Sequence, residues 1–235
     1  MKFQFLILYI ILLLGGAVWG INQVSKQEKE PKTAGQFSYL ALGDSYTVGE
    51  SVDYTRAWPN QLLSALVMNN VPISKFKMVA KTGWRTDEML KSAKKTIKKE
   101  KFDLVSLLIG VNNEFQGQDP EEFEPQFLEC LEFAIDHSVN GSEGVFVLSI
   151  PDYAYTPFGK ENKSISERIN NYNAVCARIS KQKGVAYFDI TAISRNGLKD
   201  PSFVASDGLH PSATQYKIWV NSFLYELVTQ IKQNL

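Results

Sequence analysis

Phe37-Ser-Tyr-Leu-Ala-Leu-Gly-Asp-Ser45 is a short, mostly apolar run that ends in three turn-forming residues. Such a run reads as a buried strand, because a strand covered on both faces has no need to alternate apolar with polar residues. Gly, Asp and Ser each favour a turn, so the chain leaves the strand at Gly43. The same figure recurs downstream. Residues 76–80 lead into Thr82-Gly83-Trp84, and residues 104–109 lead into Gly110-Val-Asn112-Asn113. Residues 144–150 stop at Pro151, and residues 185–190 form a fifth such run.

Helical spacing fills the gaps. Residues 57–69 place Leu62, Leu63, Leu66 and Val67 on one face, with Pro59 suited to a first turn. Residues 86–99 read as a second helix. Residues 120–137 carry a stripe of Phe123, Phe127, Leu131, Ala134 and Ile135. Ser164-Ile-Ser-Glu167 has the form of a capping box and opens a helix running to about Gln182. A last helix covers about residues 212–230. The alternation βαβαβαβαβα predicts the α/β class: a five-stranded parallel sheet between two helical layers. In such sheets ligands bind beyond the C-terminal ends of the strands. There is no internal repeat.

Four polar blocks fall on that one rim: Gly43-Asp44-Ser45, Thr82-Gly83-Trp84, Gly110 to Asn113, and Asp207-Gly-Leu-His210 just before the last helix. A serine hydroxyl is a weak nucleophile near neutral pH and needs a base. His210 suits that role, because imidazole titrates near working pH. Asp207, three residues earlier, is placed to hold the far ring nitrogen and stabilise the imidazolium. Attack on an ester carbonyl creates an oxyanion. The N–H groups of Ser45 and Gly83 and the side-chain amide of Asn112 are the candidate donors. The blander readings are a turn for Gly-Asp-Ser, a helix-entry residue for His210, a loop cap for Asn112, a backbone requirement for Gly83 and a turn aspartate for Asp207. His137 reads as a helix C-terminal residue. Trp84, Tyr153, Tyr155 and Phe158 lie in rim loops and read either as an acyl or sugar wall or as loop packing.

Taken in order, Ser45, Gly83, Asn112 and His210 resemble the SGNH (GDSL-type) hydrolase family, over the chain from about residue 37 to the last helix. The resemblance implies a flavodoxin-like three-layer α/β/α fold and ester hydrolysis with no metal or organic cofactor. The chain departs from the family's pattern at Asn113, where aspartate is common, which bears on the bonding of that loop. It also has Tyr46 where leucine is frequent, which bears on the pocket wall. The expected activity is a serine esterase acting on a lipid, lysophospholipid or acylated glycan. The same residues would serve a carbohydrate O-deacetylase or an acyltransferase, and a silent surface binding module is the reading from another class.

The remaining features set the context. The chain has 235 residues, 25 basic against 25 acidic side chains and 44% hydrophobic residues. That balance gives no basic footprint for nucleic acid. Lysines 91, 94, 95, 98, 99 and 101 have the spacing of a solvated helix face. Cys130 and Cys176 read as buried thiols, with a disulfide possible in an oxidising compartment. Residues 3–21 form an apolar run of signal-peptide or anchor type, preceded by Lys2 and followed by a polar linker over residues 22–36. Export, released or held at a membrane by residues 1–21, is therefore expected, with the hydrolase domain over residues 37–235. The sequence is silent on oligomeric state.

Overall fold

The computed structural model describes residues 37–233. The leader and linker expected over residues 1–36 lie outside the described residues. Five strands, β1 (Phe37–Gly43), β2 (Ile73–Ala80), β3 (Leu104–Leu108), β4 (Val145–Leu148) and β5 (Ala186–Phe188), form one parallel sheet in the order β2-β1-β3-β4-β5. This is the flavodoxin-like order expected above, and it reverses direction between β1 and β3. The helices α1 (Ser45–Val48), α2 (Trp58–Met68), α3 (Thr86–Ile97), α4 (Val111–Phe115), α5 (Pro120–Asp136), α6 (Lys163–Lys183), α7 (Thr191–Ser194) and α8 (Ala213–Gln233) complete the chain. Helices α2 and α8 pack together, and α3, α5 and α6 pack in series. β1 and β3 are almost wholly buried, as their apolar sequences require.

Register decides where the site falls. Gly43 pairs with Ala80 on one side and with Leu108 on the other, so the three strands end level. The loops carrying Ser45, Gly83 and Asn112 thus leave the sheet side by side. Gly43 itself admits no side chain: a Cβ there would lie 2.1 Å from the Thr47 hydroxyl and 2.5 Å from the Leu108 carbonyl oxygen.

Several boundaries differ from the sequence reading. β2 begins at Ile73 rather than residue 76, because it is an edge strand whose first residues face solvent. Lys75 and Lys77 on it both pair with Glu100, and charged residues of this kind protect an open edge. β4 and β5 are shorter than their apolar runs. Ile150 and Ile190 stay buried, but beyond the ladder their backbone is satisfied by side chains: the Ile190 N–H donates to the Ser149 hydroxyl at 2.8 Å, and the Ile150 N–H to Asn173 at 2.7 Å. Helix α6 starts before the expected capping box. Its cap is Asn162, whose side chain accepts the Ser164 N–H at 3.1 Å. The short helices α1, α4 and α7 are not among the helices expected from the sequence. Cys130 and Cys176 are free, buried thiols. His137 ends α5, with its ring nitrogens 2.8 and 2.9 Å from the carbonyl oxygens of Phe133 and Lys98. The six lysines of the basic run are exposed.

Candidate active site

Ser45 is the first residue of α1, and Asp44 caps that helix by accepting the Tyr46 N–H at 3.0 Å. The cap fixes where the serine emerges from the strand. Its Oγ lies 3.0 Å from His210 Nε2, and His210 Nδ1 lies 2.6 Å from Asp207 Oδ2. An ionised carboxylate only accepts, so Nδ1 carries the proton and Nε2 is left to receive that of the serine. The Tyr46 ring meets the imidazole edge-on at 5.6 Å and walls it in.

Asp207 is fixed from four sides. Its Oδ1 accepts the N–H groups of Leu209 and His210 at 2.9 and 3.0 Å, and its Oδ2 accepts from His210 and from the Ser51 hydroxyl at 2.6 Å. Partial burial pushes its carboxyl up, but the bonds from Ser51, His210 and the two backbone N–H groups outweigh this and hold it well below the usual carboxylate range. Asp44 behaves oppositely. Burial pushes its carboxyl up to about 7, against the single Tyr46 N–H and its own backbone that favour the charge.

Ser45, Gly83, Asn112 and His210 line one cavity of about 170 Å³ together with Val111, Phe115, Tyr153, Phe158 and Leu209. Gly83 has φ +86°, which strains any residue with a Cβ, although a Cβ there would meet nothing within 4 Å. Backbone conformation is thus the reason for the glycine. Asn112 donates one amide hydrogen to the Trp84 carbonyl oxygen at 2.8 Å. That bond orients the amide and leaves its second hydrogen available. The five residues singled out in the sequence, Ser45, Gly83, Asn112, Asp207 and His210, therefore converge.

Asn113 is fully buried and fully used. Its Oδ1 accepts the Thr86 N–H at 3.1 Å, and its amide donates to Thr86 Oγ1 at 2.8 Å and to Gln118 Oε1 at 2.6 Å. An aspartate could not donate to Gln118, so the departure at this position is matched to its neighbours. Of the four rim aromatics, Tyr153 and Phe158 line the cavity. Trp84 and Tyr155 pack against the core instead. Phe115 was not picked out from the sequence. It sits three residues after Asn112, which puts both on one face of α4, a helix too short to show periodicity.

A serine, an imidazole and a carboxylate in hydrogen-bonded series at the C-terminal rim of a parallel sheet, beside a small apolar cavity, define a serine ester hydrolase. The GDSL-like lipase/acylhydrolase family model matches residues 41–218, and the chain belongs to that family. No curated protein sequence gives a significant match. Among solved structures, TesA superposes with a TM-score of 0.66 at 15% identity, over 83% of this chain and 99% of that one. The lipase/acylhydrolase from Enterococcus faecalis gives 0.65 at 21%, over 83% and 97%. The acetylxylan esterase Axe2 from Geobacillus stearothermophilus gives 0.64 at 20%, over 84% and 96%. At these identities the likeness is one of fold.

Proposed function

We propose that the chain hydrolyses carboxylic esters with a short acyl group through a covalent Ser45 intermediate. The observation that carries this is the continuous series Ser45 Oγ–His210–Asp207, at 3.0 and 2.6 Å, opening into the cavity. His210 Nε2 takes the hydroxyl proton as Oγ attacks the carbonyl carbon. The resulting oxyanion is received by the N–H groups of Ser45 and Gly83 and the free amide hydrogen of Asn112. No acceptor among the described residues takes either backbone N–H. Collapse expels the alcohol, which takes the proton from His210, and leaves the acyl group on Ser45. Water then attacks, gives a proton to His210, and the acid leaves as Oγ recovers it.

Cavity size supports the acyl assignment. An apolar cavity of about 150 Å³ accommodates benzene, so about 170 Å³ bounded by Val111, Phe115, Tyr153 and Phe158 suits a linear acyl group of about six carbons or fewer. A second reading, removal of acetyl groups from a glycan, is favoured by the half-exposed rings of Phe115 and Phe158 at the cavity, which offer flat faces to a sugar. A sugar hydroxyl in place of water would turn the same site into an acyltransferase. Export is also proposed, on the apolar run at residues 3–21, and intact-mass analysis of the native protein would show whether that segment is removed.

The deciding experiment pairs a fluorophosphonate probe with a p-nitrophenyl ester series from acetate to decanoate. Wild-type protein is expected to be labelled and Ser45→Ala not, with turnover falling beyond hexanoate. Equal turnover by wild type and Ser45→Ala on every ester would leave the binding-module reading standing. Activity confined to acetate, with acetylated xylo-oligosaccharide preferred, would favour the glycan reading.

A further inference from the structure

We infer that Glu50 and Ser51, adjacent residues just after the nucleophile helix, are positioning residues that tie the base loop and the oxyanion loop to Ser45. This rests on the catalytic reading above. The carbonyl oxygen of Ser45 accepts the N–H groups of Gly49 and Glu50 at 2.9 and 3.0 Å, so the dipeptide is bonded directly to the nucleophile's own backbone. From there the two side chains diverge. The Ser51 hydroxyl donates to Asp207 Oδ2 at 2.6 Å, across 156 positions of sequence. The Glu50 carboxylate accepts from the hydroxyl of Thr82, the residue before Gly83. The base loop returns to the serine through His210. Residues 50 and 51 thus join the loop of the base and the loop of one oxyanion donor to the backbone of the nucleophile, and the His210 bonds close the circuit on the base side.

The backbone supplies an independent reason to look at Ser51. It has φ +64°, a left-handed conformation that glycine takes without strain and serine does not. The residue is exposed, so packing does not call for a side chain there. What the hydroxyl does is bond Asp207. Strain kept at a site where only one contact uses the side chain points to function.

The same geometry makes the idea testable, because Ser51→Gly relieves the backbone while deleting the bond. A merely structural role would make activity follow stability. The inferred role separates them: Ser51→Gly is expected to keep or raise Tm and to lower kcat about tenfold with little change in KM. Ser51→Ala loses the same activity and some Tm. Ser51→Asn, which tolerates the left-handed region and carries an amide donor, is expected to recover part of the loss. With Oδ2 left to His210 alone, Asp207 holds the imidazolium more tightly, so the acid limb of kcat/KM moves to higher pH in Ser51→Gly. The other ionisable groups around this pair are Asp44, Glu50, Asp152, Tyr46, Tyr153 and Tyr216. All of them are unchanged in the Ser51 variants. For the other arm, Glu50→Ala and Thr82→Val are expected each to lower kcat, and the double variant to lose little more than either.

The low-field proton resonance of the His210 Nδ1–H···Asp207 bond gives a readout that needs no turnover. It is expected further downfield in Ser51→Gly. Wild-type resonance position, kcat and pH profile in Ser51→Gly would overturn the inference. A shifted resonance in a protein without Ser45-dependent turnover would instead uphold the bracket and sink the hydrolytic reading.

Discussion

Asn112 shows how much one side chain can be asked to do. Its amide has two hydrogens, and the Trp84 carbonyl oxygen takes one at 2.8 Å. In the proposed mechanism the other is held ready without reorganisation, which is what makes an oxyanion donor effective. Asn112→Ala is therefore expected to lower kcat about a hundredfold, roughly 3 kcal/mol in the barrier, with KM little changed. Asn112→Asp is expected to be worse, since a carboxylate cannot donate and repels the oxyanion. Steady-state kinetics on a short-chain ester would check both, and an equal rise in KM would show that Asn112 binds substrate rather than the oxyanion. The five candidate residues that the structure brings together were legible in the sequence because each chemistry demands a residue type and each lies just past a strand or before a helix. Glu50, Ser51 and Phe115 were not. Their roles depend on a left-handed turn and a five-residue helix, and neither leaves a periodic trace.

The four residues of α1 belong to the element scale, and Asp44 is their cap. The sequence marked Gly-Asp-Ser as a turn, and the strand before it was legible from its apolar run. That the turn continues into a helix was not legible, since four residues are too few to show a period. The cap has a thermodynamic consequence. Burial raises the Asp44 carboxyl to about 7, against roughly 3.9 in an unfolded chain. Between those values the folded state keeps a proton that the unfolded state releases. Stability from this group is full below about pH 4 and is lost as pH rises through about 7. About three units corresponds to an upper bound on the order of 4 kcal/mol. Asp44→Asn stays neutral and keeps an oxygen for the Tyr46 N–H. Thermal melts are expected to show wild-type Tm falling relative to Asp44→Asn between about pH 4 and 7 and running level above that, with the curves closing below about pH 4. Parallel curves across that range would mean that Asp44 does not hold a proton in the folded state.

At the scale of the whole molecule, the layers were legible because near-continuous apolar strands and striped helices demand cover on both faces of a sheet. What the sequence left open was how deeply each face is sealed. Cys130 on α5 and Cys176 on α6 answer that, since both are buried and free, and the Cys130 thiol donates to the Thr86 carbonyl oxygen at the start of α3 at 3.5 Å. Burial pushes both thiols well up from their ordinary range, with Glu129 adding to the effect at Cys130. Thiolate is the reactive form, so two barriers, access and ionisation, protect each residue at once. Neither thiol can be reached until the packing that buries it opens. The thiols thus report opening of the fold, and their modification is governed by the population of the open state. With the reagent DTNB under non-reducing conditions, native protein is expected to release almost no chromophore and guanidinium-unfolded protein two equivalents. At intermediate denaturant, both thiols are expected to react together, at a rate that follows the unfolding transition seen by circular dichroism. Fast reaction of one thiol in the native state would show that the helix carrying it opens locally. No release after unfolding would mean that the two cysteines are bridged.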